Sequence, residues 1–458
     1  MKSSRADVRC KDHAIPDVRF ECHSLTSFAG LVVLQHFFAA VKLKTRLNRC
    51  FRHLRVGKVF GRATVFCQLI VHLLLGFREL RDSRCYRDDP LVKRLLGLKR
   101  LPDVATLSRM LGEVDSASIG HLRTLLKDLV FERLRQLQLP RITLDFDGSV
   151  QSTTRRAEGT AVGFNKKKKG ARSYYPLFCT LAQTAEVLDF LHRSGNVHDS
   201  HGAKGFILAC VQAVREVLPH AVIEVRMDSA FFSDEIVSAL NKARVEFTLS
   251  VPFERFVELK AWIEGRRQWY DLGGDVSAFT LWWKPKAWDR ECRFVFVRTR
   301  AKRQQKGPIQ LDLFVPYEYG YDFKVIVTNK PLSMKQVIVY HGGRGSQEGV
   351  FAELKTHCAM GYVPVRSWLG NQAYLLAGLL AHNLIREFQM QTASPCRKTT
   401  PKRAALWAFE RLGTFRNTIL HRAGRLTRPH GRLTLTVSAA SWLQARFRHL
   451  LKTFDHAA

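Results

Sequence analysis

Four carboxylates stand out by their position in the chain. Asp145 and Asp147 lie within Leu144-Asp145-Phe146-Asp147-Gly148-Ser149, in a stretch from Ile142 to Val150 whose alternation predicts a strand. At i and i+2 both side chains face one side of a sheet. Asp228 closes Val225-Arg226-Met227-Asp228-Ser229, a second predicted strand, and ligands in α/β sheets bind beyond the carboxyl ends of strands. Glu348 opens a predicted helix after a turn rich in glycine, Gly342, Gly343 and Gly345. Carboxylates that converge in an otherwise basic chain call for cations. Hard oxygen donors suit Mg²⁺, and two such ions clamp the attacking and leaving oxygens of an in-line phosphoryl transfer. Read singly, each acid is equally an ordinary turn, cap or ion-pair residue. The surroundings of Glu348 add weight, because Arg344 precedes it by four residues and Lys355 follows it by seven. On a helix these share a face, either as a ladder of ion pairs or as a ligand between two phosphate clamps.

The whole chain has a matching bias. It holds 458 residues, 73 Lys and Arg against 40 Asp and Glu, and a formal net charge of +33. Such a chain repels itself unless a polyanion is its usual neighbour, which points first to nucleic acid and second to an anionic membrane surface. The apolar stretches Thr64 to Phe77 and Tyr374 to Ile385 are shorter than the roughly 20 residues that cross a bilayer. Met1 to Cys22 is charged and lacks the apolar core of a signal peptide. Ten cysteines without a CxxC pair fit a reducing compartment, so a cytoplasmic, nucleoid-associated protein is expected. Cys10, His13, Cys22 and His23 could be four soft ligands for zinc, but their spacing is irregular and nothing else in the region points to a metal.

Positioning the acids requires an α/β layer. Residues 1–140 read as a helical N-terminal DNA-binding or dimerisation domain, with helices over Leu31 to Leu54, Thr64 to Leu80 and Ile119 to Leu137. Residues 141–254 alternate strand and helix: strands at Ile142 to Val150, Ser173 to Ala182, Val187 to Arg193, Ala221 to Met227 and Glu246 to Val251, with helices at Ala203 to Leu218 and Ser233 to Arg244. Residues 255–320 interrupt that order with β-like text and five of the eight tryptophans, among them Trp282, Trp283 and Trp288. Residues 321–395 return to the layer with a strand at Phe323 to Thr328, the Glu348 helix, and a buried helix from Asn371 to Phe388. Residues 396–458 are a basic C-terminal region whose stretch from Arg397 carries 13 Lys and Arg against Glu410 and Asp455. The run Lys166, Lys167, Lys168 and Lys169 is either a solvated hairpin tip or a set of phosphate contacts.

The combination of blocks resembles the DDE transposases of bacterial insertion sequences related to the IS4 group, and most nearly the IS1380 family. The matching text includes Phe77-Arg78-Glu79-Leu80-Arg81-Asp82, Tyr86 to Pro90, Leu101-Pro102 with Ala105 to Arg109, Leu144 to Ser149, and Gly163-Phe164-Asn165 with Ser173 to Leu177. It continues through Gly195-Asn196-Val197-His198, Arg226 to Ser229, Arg344 to Lys355, and Trp368 to Leu384 with Asn371 and Asn383. The resemblance spans roughly residues 24 to 450.

It implies an RNase H-like catalytic core interrupted by a β-rich insertion, with Asp147, Asp228 and Glu348 holding two Mg²⁺ ions for which Mn²⁺ can substitute. Asp147 is preferred to Asp145 because Gly148-Ser149 follows it as the family's pattern asks, and Glu348 to Glu353 by its spacing to Arg344 and Lys355. The implied activity is strand cleavage at terminal inverted repeats and attack of the freed 3′-hydroxyl on target DNA, carried out by a homodimer on paired ends. Arg344 and Lys355 are expected to contact DNA. The family's tyrosine stands with two residues between it and the arginine, whereas Tyr340 has three and His341 fills the slot. Either the glycine turn absorbs one residue or His341 replaces the tyrosine as a phosphate contact. A route through a DNA hairpin would need an aromatic for a flipped base, for which Trp282, Trp283 or Trp288 are candidates.

Overall fold

The computed structural model describes residues 17, 24–55, 57, 59–163, 165, 168–198, 200–301, 320–398, 400–437 and 440–455. Lys166 and Lys167, and the four residues of the zinc reading, lie outside them.

Among the described residues, six α-helices build the N-terminal region: α1 (Leu31–Ala40), α2 (Leu43–Cys50), α3 (Arg62–Leu74), α4 (Pro90–Leu96), α5 (Val104–Gly112) and α6 (Ser116–Leu137). Their starts follow the sequence. Asp89, Asp103 and Asp115 cap α4, α5 and α6 by accepting backbone N–H bonds in the first turn, and Pro90 occupies the first helical position of α4. A short strand β1 (Leu25–Thr26) precedes them.

A nine-stranded mixed sheet follows. It contains β2 (Arg141–Gly148), β6 (Leu177–Leu181), β7 (Val187–Leu191), β8 (Val222–Met227), β9 (Glu246–Val251), β10 (Tyr270–Gly273), β11 (Val276–Trp283), β12 (Cys292–Arg300) and β13 (Tyr321–Thr328). The spatial order is β10-β11-β12-β13-β9-β8-β2-β6-β7. Strands β2, β6 and β7 are antiparallel neighbours, while β8 and β9 run parallel to β2. The Trp-rich strands extend this sheet, since β13 pairs with β9 on one side and β12 on the other.

The stretch Ser173 to Ala182, read as one strand, is two. Pro176 removes a ladder donor and breaks the run. Its first half is β5 (Arg172–Tyr174), in a small sheet with β3 (Gln151–Thr153) and β4 (Ala161–Val162); its second half is β6.

Helices α7 (Ala203–Val217), α8 (Asp234–Lys242) and α9 (Val257–Gly265) accompany the sheet. Helix α10 (Met334–Gly342) leads through Gly343 and Arg344 into α11 (Gly345–His357). Helix α12 (Trp368–Thr392) is buried along most of its length and packs against α3 and α6. Two polar ties seat it. Arg133 of α6 pairs with Glu387 at 2.6 Å, and the Asn383 amide bonds both the N–H and the carbonyl of Val187, as a neighbouring strand would. The C-terminal region folds back: β14 (Gly424–Thr427) pairs with β1 and with β15 (Thr434–Val437), and α13 (Ser441–Asp455) packs on α1. Among the described residues, no helix is long and apolar enough to cross a membrane.

Candidate active site

Parallel pairing sets Phe146 opposite Met227, so the next residues, Asp147 and Asp228, end neighbouring strands side by side. Adjacent strands lie about 4.8 Å apart. Asp147 accepts the Gly148 N–H at 2.8 Å, and Asp228 caps a short turn by accepting the Ala230 N–H at 3.0 Å. Both are half-buried. Glu348 lies in the first turn of α11, with its side chain 69% exposed. Arg344 links it to the strand, reaching Asp147 Oδ2 at 3.4 Å with one guanidinium nitrogen and Glu348 Oε1 at 3.8 Å with the other. Lys355 is exposed two turns further along the same helix.

The acids that compete for these roles are engaged elsewhere. Asp145 is buried and receives two hydrogen bonds from Arg226, at 2.6 and 2.7 Å. Burial pushes its carboxyl up, and the Arg226 charge opposes that rise. Glu353 is buried against Arg386 and accepts the Leu412 N–H at 2.9 Å. Asp147, Asp228 and Glu348 carry hard oxygen donors of the kind that suit divalent cations. Two of them are adjacent, and the third is joined through Arg344. Among the described residues no group of three or more His, Cys, Asp or Glu side chains is drawn together tightly enough to hold a metal ion.

Arg226 was missed by sequence reasoning and is the knot of the site. Besides Asp145, it donates to the Tyr340 carbonyl at 3.0 Å and the Lys402 carbonyl at 2.7 Å. One guanidinium therefore ties β2, β8, the end of α10 and the C-terminal segment. Gly343 permits this, since a Cβ there would stand 2.1 Å from Arg226 Nη1 and 2.0 Å from the Lys402 carbonyl oxygen. Gln347 adds a second tie, donating to the Asp145 carbonyl at 2.9 Å from the position before Glu348. The available signal was an arginine in mid-strand between Val225 and Met227, where an unpaired charge is untenable.

Two expected DNA contacts need correction. Tyr340 is 1% exposed, with its ring facing the cations of Arg226, Lys330 and Arg403. His341 is also 1% exposed and bonds Thr248 and Ser250, each at 2.9 Å. Burial, with Lys324, Arg344 and Arg226 nearby, holds its imidazole neutral by lowering its pKa. Neither residue presents itself to a phosphate; both pack α10 onto the sheet. Lys168 and Lys169 are exposed at a turn. Of the three tryptophan candidates, Trp288 is buried on Phe232, and Trp283 packs among Phe256, Trp262 and Phe294. Trp282 is 66% exposed.

The family model of the transposase DDE domain, group 1, matches residues 10–458. The chain is a DDE transposase. Enzymes of this family are metal-dependent catalysts of DNA cleavage and transfer. No curated protein matches the transposase in sequence. Among solved structures it is similar to a piggyBac transposase synaptic complex with hairpin DNA, at 10% identity and a TM-score of 0.44, over 93% of this chain and 85% of that one. It is also similar to the Mos1 mariner paired-end complex with Mn, at 10% identity and a TM-score of 0.17, over 43% of this chain and 60% of that one.

Proposed function

We propose that this transposase cuts DNA at the ends of its element and joins the freed 3′-hydroxyl to target DNA, with Asp147, Asp228 and Glu348 as its catalytic acids. The carrying observation is that Asp147 and Asp228 end adjacent parallel strands while Asp145 and Glu353 are consumed by buried arginines. Three antiparallel strands followed by two parallel ones, with acids at the ends of β2 and β8, support the RNase H-like reading of the core. The strands from β10 to β12 correspond to the β-rich insertion. The motifs from Phe77 to Leu384 support the IS1380 family.

Two divalent cations, Mg²⁺ or Mn²⁺, would supply charge stabilisation to the attacking and leaving oxygens. The chain's own part is positional. Arg226 and Gln347 fix the three acidic elements relative to one another, and Arg344 balances the charge between Asp147 and Glu348. Arg344, Lys355, Lys168 and Lys169 provide cations for DNA phosphates. Two ends need two active sites, so the working form is a homodimer on paired ends in the cytoplasm, at the nucleoid.

The test incubates purified protein with a supercoiled plasmid carrying the gene and its flanking DNA, in Mg²⁺ or Mn²⁺, and maps the products. Cleavage at the element boundaries with 3′-hydroxyl ends, absent in Asp147→Asn, Asp228→Asn and Glu348→Ala, is expected. Binding of the ends without cleavage in either metal would instead make this a catalytically silent, transposase-derived DNA-binding protein. Cleavage without joining would make it an RNase H-like nuclease.

A further inference from the structure

A cleft of about 260 Å³ opens where the chain leaves the Asp147 strand. Its walls come from three separate regions: Ser152 to Arg155 of β3 and the turn after it, Arg78 and Glu79 from the N-terminal region, and Gly361 to Val363 beyond the Glu348 helix. Lys168 closes the rim. The Gln151 amide donates to the Met360 carbonyl at 2.6 Å, so the strand following Asp147 is fastened to the segment following Glu348.

The cleft concentrates positive charge. The guanidinium carbons of Arg78 and Arg155 lie 5.9 and 6.0 Å from the Tyr362 ring centroid, so one phenol ring serves two cations. The single acid, Glu79, is already paired with Arg81 at 2.7 Å. The arrangement is built rather than incidental. Arg155 donates to the Pro364 carbonyl at 2.5 Å. Asn165 donates to Ser152 Oγ at 2.7 Å and accepts the Lys168 N–H at 3.1 Å, which stitches the end of the lysine run to β3. Three cations held in one concave site repel one another, and an anion seated among them offsets that repulsion.

We propose that this cleft grips a phosphodiester of the bound DNA through Arg78, Arg155 and Lys168. It rests on the transposase reading and adds to it a contact shared by the N-terminal region and the catalytic core.

Phosphate contacts do not depend on sequence, so the probe is a fluorescein-labelled duplex of arbitrary sequence, titrated by anisotropy over a range of NaCl without divalent ions. Each neutralised phosphate contributes about 0.9 to the slope of log affinity against log salt. Lys168→Gln, at an exposed rim position, should flatten the slope measurably, by less than the full value of about 0.9 for one phosphate. The triple variant with Arg78→Gln and Arg155→Gln should flatten it by about 0.9, the loss of one phosphate contact, if its melting temperature is retained. A wild-type slope in Lys168→Gln and in a folded triple variant overturns the proposal. Failure of the wild-type protein to bind any duplex would instead refute the transposase reading on which it rests.

Discussion

Asp145 and Asp147 sit two residues apart on one strand, yet replacing each by asparagine should have opposite consequences. Asp145 is buried with Arg226, and the pair is joined by two short hydrogen bonds. Removing one partner of a buried ion pair strands the other and costs about 3–5 kcal/mol. Asp145→Asn and Arg226→Met should each cost that much, read as lowered thermal and denaturant midpoints. If the two losses were independent, the double variant would lose roughly 6–10 kcal/mol. Because each loss is mostly the stranded charge, Asp145→Leu with Arg226→Met should recover on the order of 3 kcal/mol of that sum. Recovery stays incomplete because the Tyr340 and Lys402 carbonyls lose their donor. Asp147 is different. Its contact with the Arg344 guanidinium is longer, at 3.4 Å, and more exposed than the Asp145 pair, so Asp147→Asn should destabilise less than Asp145→Asn while abolishing cleavage. The reasoning fails if Asp147→Asn destabilises as much as Asp145→Asn. It fails equally if Asp145→Asn keeps its midpoint and loses cleavage, for the two aspartates would then have exchanged roles.

The same contrast applies on α11. Glu353→Ala strands the buried Arg386 and should cost about 3–5 kcal/mol, whereas exposed Glu348→Ala should leave the melting temperature within a degree or two and remove cleavage. Gly343→Ala should lower both the midpoint and the cleavage rate, because its methyl would meet Arg226 and the Lys402 carbonyl; an unchanged midpoint would show that the turn has room to move. Glu186 supplies a pH test. Burial, then the nearby Glu387 charge, pushes its carboxyl up to about 8 from an ordinary 4.5. The folded form therefore keeps the proton that the unfolded chain releases. Stability that is full below pH 4.5 is lost as pH rises to about 8, by up to roughly 5 kcal/mol at 1.36 per pH unit. Glu186→Gln should raise the melting temperature at pH 8 and leave it nearly unchanged at pH 4.5; equal effects at both would refute the shift.

Local pattern made much of the sheet legible. Alternation in β2, and the aspartate that closes β8, required only the period of a strand. The break at Pro176 was legible too, since a proline in mid-run argues against a continuous strand. The choice between Asp145 and Asp147 was not, because i and i+2 share a face and the deciding partner, Arg226, is 81 residues away. Tyr340 and His341 escaped for a related reason. Their hydrogen-bonding groups suggested contact with a ligand, but their spacing with Val337 also describes the buried stripe of α10, and all three are buried there. Their surroundings are supplied by β9 and by the Lys330 and Arg403 side chains, which no spacing along α10 can report.

The position of Arg226 explains why so much charge is buried beside the candidate active site. Asp147, Asp228 and Glu348 lie on three elements that hydrophobic packing alone would hold only loosely in rotation and slide. A guanidinium has directional donors in a fixed plane, and here they are divided between Asp145, the Tyr340 carbonyl and the Lys402 carbonyl. Asp145 lies two residues before one catalytic candidate, Arg226 lies two before the second, and Tyr340 lies in the last turn of the helix that leads into the third. Sliding β2 against β8 would break the Asp145 bonds, and moving α10 would break the carbonyl bond. Gln347 independently ties α11 to the Asp145 backbone. An apolar replacement could match the stability of such a buried pair, but it would not impose the same register. The Asp145→Leu, Arg226→Met variant should therefore recover stability without recovering cleavage, which separates the positional role of the pair from its contribution to folding.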